Sequence, residues 1–273
     1  MLAGLRDAGF ELVFQSHARA ILAVDFPGVL QELEEALLGT SIPITEIIAG
    51  GGGESRNTQR LRRALAARGW VKTRFVVETR INGKPRESQS HEVDHVREVP
   101  GTGAVALEIE WNNKDPFFDR DLENFKRLHA DGAISVGCIV TRGRGLHDRL
   151  RDLVRRFLDE KSIDSLEDLQ PWGYEPTRRQ REAIMQRAKR SGLREAFTAA
   201  FVSDKFGEAT THWRKLEERM HRGVGNPCPL LMIGLPQSVV SFEALPAHEE
   251  SATEGAPAGG QPASDAEAPQ AAG

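Results

Sequence analysis

At 273 residues with 39% apolar content, the chain can bury one substantial core and lies outside the composition range of disordered proteins. Its net charge of -4 excludes the strongly basic field of a non-specific nucleic-acid binder, although residues 243 to 273 hold six acids and no Lys or Arg and leave the remainder at about +2. Two cysteines, Cys138 and Cys228, make neither a disulfide framework nor a four-ligand zinc site, and no run approaches the ~20 apolar residues of a membrane span.

The N-terminus, MLAGLRDAGF, lacks a basic region followed by a long apolar core, so a soluble, cytoplasmic protein is expected. Between Asp25 and Leu38, FPGVLQELEEALL carries apolar residues at helical spacing behind a proline, and residues 55 to 69, SRNTQRLRRALAARG, do the same ahead of a glycine. The AGGGGES run between these two helices is read as a flexible connector. A phosphate-gripping loop would need the Walker Lys-Ser/Thr ending or the dinucleotide glycine spacing, and it has neither.

Residues 71 to 79 and 104 to 111 read as strands, with the Asn-Gly of INGK and the glycines of PGTG as turn signals. Next, DPFFDRDLENFKRLHADG places Phe117, Phe118, Leu122, Phe125 and Leu128 on one helical face, and AISVGCIVTRG reads as a buried strand. Strand, helix and strand predict a right-handed parallel crossover in a mixed α/β fold. Beyond it, LHDRLRDLVRRFLDE is an amphipathic helix, and residues 175 to 194 set seven basic residues against two acids, a solvated helix face first and a phosphate-contacting surface second. We expect one domain over residues 1 to 244 and a disordered, acidic Ala/Pro/Gly tail over 245 to 273, too poor in apolar residues to offset its ordering entropy.

The segment AVALEIEW carries the chemistry. Alternation sends Val105, Leu107, Ile109 and Trp111 to one side and Ala106, Glu108 and Glu110 to the other. Two carboxylates about 6 Å apart at an effective dielectric near 20 repel by roughly 3 kcal/mol, so something cationic should offset them. Asp94, in HEVDHV, would join them if the PGTG turn folds its segment back on the strand. Three hard oxygen donors suit magnesium, which can activate a water and neutralise a phosphoryl group. A solvent-facing Glu-x-Glu satisfied by neighbouring Lys or Arg is the structural alternative.

The run from Glu92 to Gly143 resembles the core of BglII/BamHI-like type II restriction endonucleases, members of the PD-(D/E)XK nuclease superfamily. The shared pattern is Asp94, then Glu108-Ile109-Glu110, an Asn112-Asn113 turn, a helix over residues 116 to 130, and an apolar strand ending Thr141-Arg142-Gly143. Looser similarity covers most of residues 10 to 242. The resemblance implies a restriction-endonuclease-like mixed β-sheet flanked by helices and a site-specific, Mg2+-dependent endonuclease of double-stranded DNA. It also implies a homodimer, matched to a two-fold site and paired with a DNA methyltransferase.

By the same resemblance Asp94 and Glu108 hold the metal, and Glu110 stands in for the superfamily's usual lysine as general base or water-orienting group. Lys114 is not that lysine, because it lies six residues past Glu108 rather than two. Asn112, Asn113 and Lys114 are candidate DNA contacts, with turn formation as the competing role of the two asparagines. Some relatives add a further carboxylate, for which this chain offers Glu54 and Glu78. His91, His95 and His129 are expected to be structural, while Thr211, His212 and Lys215 either face DNA or begin a helix. Two other readings stay open: a repair or structure-specific nuclease on the same core, and a DNA-binding module whose carboxylates no longer act.

Overall fold

The computed structural model describes residues 1–50 and 53–243. The tail expected from residue 245, and the middle of the glycine run, lie outside the described residues. In chain order, α1 (Ala3–Asp7), β1 (Glu11–Gln15), α2 (Ala18–Val24), α3 (Pro27–Leu38), β2 (Ile42–Pro43), α4 (Ile44–Ile48) and α5 (Arg56–Ala66) lead into β3 (Val71–Ile81), β4 (Lys84–Val99) and β5 (Gly103–Glu110). After them come α6 (Phe117–Ala130), β6 (Val136–Arg142), α7 (Arg144–Glu160), α8 (Arg178–Ser191), α9 (Leu193–Phe206), α10 (Trp213–His221), β7 (Leu230–Leu235) and β8 (Val240–Ser241).

Six strands form one mixed sheet in the order β1-β7-β6-β5-β4-β3, while β2 and β8 make a separate parallel pair. Strands β5, β6 and β7 run parallel; β4 and β3 continue antiparallel from β5, and β1 closes the other edge antiparallel to β7. The β5-α6-β6 unit is the parallel crossover that its apolar pattern predicts. Both faces of β6 are covered: Val136, Cys138 and Val140 enter the larger core, and Ile139 enters a smaller one under α6 and α10. That double burial is why ISVGCIV reads as a continuous apolar run rather than an alternating one. Phe118, Leu122, Phe125 and Leu128 of α6 are fully buried against this sheet face, each contributing roughly 1.5–3 kcal/mol by leaving water.

The hairpin of β3 and β4 is longer than the sequence suggests. HEVDHV reads as a short segment, yet it is the inner end of a 16-residue strand. Its far end turns at Asn82 and Gly83, both at positive φ (52° and 78°), the backbone a tight two-residue hairpin requires. Near its base the register passes from Thr73↔Val93 to Val71↔Val96, so Asp94 and His95 together oppose Lys72. This β-bulge explains how Val93 and Val96, three residues apart, both reach the smaller core. The basic run of residues 175 to 194 forms α8 and the start of α9, and Ile184 is the buried residue of α8, as a solvated helix face predicts. Cys138 and Cys228 are free and buried. Among the described residues no helix is long and apolar enough to cross a membrane.

Candidate active site

The alternation predicted for β5 holds. Val105, Leu107 and Trp111 pack in the larger core, while Ala104 and Ala106 belong to the smaller one, and Glu108 and Glu110 follow on that second side toward α6. Both glutamates are buried, 6% and 2% exposed. The PGTG turn pairs β4 with β5 as expected, and the backbone N–H of Asp94 donates to Glu108 Oε1 at 3.3 Å. The Asp94 carboxylate is half-exposed and pairs with Lys72 Nζ at 3.2 Å; the same ammonium reaches Glu92 at 2.6 Å.

A third buried carboxyl meets the two glutamates from α6. Asp121 is 1% exposed, held on one side by Arg120 at 2.8 Å and sharing a hydrogen bond with the Glu110 carboxyl. Asp121 is not among the site residues expected from the sequence, because the pattern of its helix is dominated by the apolar face. Its neighbour Leu122, buried at 0% exposure, carries the available signal: residue 121 must lie beside that apolar stripe.

Burial, then the charges of Asp121 and Asp94, push the Glu108 carboxyl well above the usual range. Burial, then Asp121, raises Glu110 to about 9, against the lowering effect of the Asn113 amide, which donates to Glu110 Oε2 at 2.8 Å. Asp121 is raised as well, by burial first, with Arg120 opposing. Three crowded acids of weakened acidity can be held ionised together by a divalent cation, whose charge offsets their burial and mutual repulsion. The donors are all oxygen, which fits a hard metal ion. Among the described residues, however, the group of three ligand atoms lying within 4.8 Å of one another is His147, Glu208 and His212, not these carboxylates. The Asp94 carboxylate is paired with Lys72.

A cleft of about 900 Å³ runs past the end of β5, lined by Glu54, Arg62, Lys72, Asp94, Asn112 and Asn113 among others. It meets the carboxyl cluster through Asp94 and Asn113, while Glu108 and Glu110 are not among its lining residues. Glu54 is on the cleft, raised by burial and sensing the charge of Asp94, while Glu78 pairs with Arg80 at 2.9 Å on the exposed hairpin. Of the two upstream carboxylates, therefore, Glu54 is near the site. Lys114 does not line the cleft; it forms an isolated backbone bridge with Thr210.

The three histidines near the site have local partners: His91 Nδ1 with Asn124 Oδ1 at 3.0 Å, His95 Nδ1 with the Leu107 carbonyl at 3.2 Å, and His129 Nδ1 with the Ile134 carbonyl at 3.0 Å. Thr211 and His212 are fully buried, which removes them from any DNA-facing role; His212 begins α10 instead.

The Thr141-Arg142-Gly143 ending of β6 braces the end of β5. Thr141 Oγ1 donates to the Glu110 carbonyl at 2.7 Å. The fully buried Arg142 donates to the carbonyls of Trp111 at 2.8 Å and Thr211 at 2.7 Å and to the Thr210 hydroxyl at 2.7 Å. Burial lowers its guanidinium to about 9. A protein-family model described as restriction endonuclease BglII/BglIII matches residues 10–235. No curated protein matches the chain.

Proposed function

The chain belongs to the BglII/BglIII restriction endonuclease family, a family of enzymes that cleave double-stranded DNA, and on that premise we propose a magnesium-dependent, type II site-specific deoxyribonuclease whose chemistry rests on Asp94, Glu108 and Glu110. The observation that carries this reading is the burial of Glu108 and Glu110 beside Asp121, with the Asp94 backbone N–H donating to Glu108. Asp94 and Glu108 are the residues to hold the metal. Bound there, magnesium would supply charge neutralisation at the scissile phosphate and a more acidic water.

Glu110 has the means to take the proton of the attacking water. Its burial makes the carboxylate a stronger base than a surface glutamate, and the Asn113 amide fixes one of its oxygens. Asn112, on the cleft wall, and Lys114, in the same turn, contact the DNA backbone or a base edge. Two copies act on the two strands of a short palindromic site, in the cytoplasm, alongside a methyltransferase that protects the same sequence. Residues 1 to 244 act as the catalytic domain, and a chain ending at Ala244 should cut as the full chain does.

The test is a digest of several unmethylated phage and plasmid DNAs with and without Mg2+, run beside Glu108→Ala. Discrete fragments that require Mg2+ and vanish in the variant, by roughly 10²–10³-fold in rate, are the expected result. Cleavage by Glu108→Ala at the parent rate would remove the basis of the assignment, and nicking confined to branched or damaged DNA would replace it with a structure-specific nuclease.

A further inference from the structure

The loop between α9 and α10 carries Glu208 up to two histidines, one near the start of α7 and one at the start of α10. His147 Nε2 lies 3.7 Å from Glu208 Oε1, and His212 Nε2 lies 3.6 Å from Glu208 Oε2. These separations are too long for hydrogen bonds. They are close to the roughly 3.3 Å between two donors that each sit ~2.0–2.1 Å from a tetrahedral ion. His212 is fully buried, yet neither of its ring nitrogens has a hydrogen-bond partner, and Nδ1 of His147 is equally without one. Buried polar atoms in that state need an explanation, and so many in one place point to a missing ligand.

We propose that His147, Glu208 and His212 form a second metal site, separate from the carboxyl cluster, that takes a zinc-like divalent ion. Two imidazoles and one carboxylate suit zinc, cobalt or nickel, whereas magnesium and calcium require an oxygen-dominated set. Three protein donors leave a fourth position for water. The two rings stack, with centroids 3.9 Å apart and 10° between their planes. Lone pairs lying in parallel planes do not meet at one point, so binding tilts His147, the less enclosed ring, out of the stack. Arg142 is close by and opposes a cation, but its guanidinium is already engaged by two carbonyls and a hydroxyl.

Such an ion has a structural consequence for the catalytic end of β5. The Glu208 loop donates the Thr211 N–H to the Asn113 carbonyl at 2.8 Å and accepts the Asp115 N–H at the Ala209 carbonyl at 3.0 Å. Tying Glu208 to α7 and α10 therefore steadies the turn whose Asn113 amide holds Glu110.

The experiment uses the untagged full-length chain carrying Glu108→Gln, freed of metal with a chelator, dialysed, and titrated with Co2+ in excess Mg2+. Bound cobalt is followed by equilibrium dialysis and by the visible absorption of a four- or five-coordinate site. One equivalent should bind, with a band that Zn2+ displaces and an affinity at least about tenfold lower in Glu208→Gln and in His147→Gln. Glu208 is 74% exposed, so Glu208→Gln tests the site without threatening the fold, and far-UV circular dichroism checks His147→Gln. No saturable cobalt band in the Glu108→Gln chain, or an unchanged band and affinity in both variants, would overturn the proposal.

Discussion

Replacing Glu110 by Gln should abolish cleavage while making the metal-free protein less sensitive to alkali. Glu110 is raised in the folded chain to about 9 from an ordinary 4.5, chiefly by burial and secondarily by Asp121. Between those two values the folded state holds a proton that the unfolded state has released, so stability must fall as pH rises. One retained proton corresponds to a slope of ~1.4 kcal/mol per pH unit, or about 2.7 kcal/mol lost between pH 6 and pH 8. In Glu110→Gln this contribution disappears, because the amide has no proton to release. The amide can still accept from Asn113 and can donate to the Asp121 carboxyl as the protonated Glu110 does. Urea unfolding from pH 5 to 9 in the presence of a chelator, parent against variant, measures the difference. The two curves should lie together near pH 5 and diverge above it, the variant becoming the more stable, and saturating Mg2+ should flatten the parent curve by favouring the ionised cluster. Parallel pH profiles for the two metal-free proteins would refute the assignment of a retained proton to Glu110.

Asp121→Asn removes a charge facing Glu110 and should move the acid limb of the kcat/KM profile to lower pH by about one unit or more, since a like charge no longer opposes ionisation. An unmoved profile would mean that Asp121 does not act on the proton-accepting group. Arg142→Lys keeps the charge but cannot serve the Trp111 and Thr211 carbonyls and the Thr210 hydroxyl together. We expect a loss of roughly 2–4 kcal/mol in urea unfolding, with reduced cleavage as the end of β5 loosens. A loss under about 1 kcal/mol would show that the guanidinium contacts are dispensable.

The elements nearest the chemistry are legible in the chain because their rules are local. Alternation along AVALEIEW follows from the two-residue repeat of a strand, and it assigns Glu108 and Glu110 to one face before any partner is known. The helix after the Asn112-Asn113 turn, the buried strand behind it and the PGTG reversal follow from equally short patterns, as does the mixed α/β class. The family pattern from Asp94 to Gly143 then indicates a restriction endonuclease, and the family match agrees.

Other features arise where distant segments pack, and no local spacing announces them. The β-bulge at Asp94 and His95 depends on the register between β3 and β4, which is set by how Val93 and Val96 reach the smaller core rather than by the residues of HEVDHV. Asp121 becomes a member of the carboxyl cluster only because α6 lies across β5, 11 residues further along the chain from Glu110. The buried reach of Arg142 to residues near 210, and the meeting of His147, Glu208 and His212, each join segments more than 60 residues apart. Which side chains share a face is dictated by the covalent repeat of the backbone and is therefore readable along the chain. Which faces meet, and with them which carboxyls are pushed above their ordinary range, depends on packing, because burial and Coulomb repulsion involve every chain segment around the site.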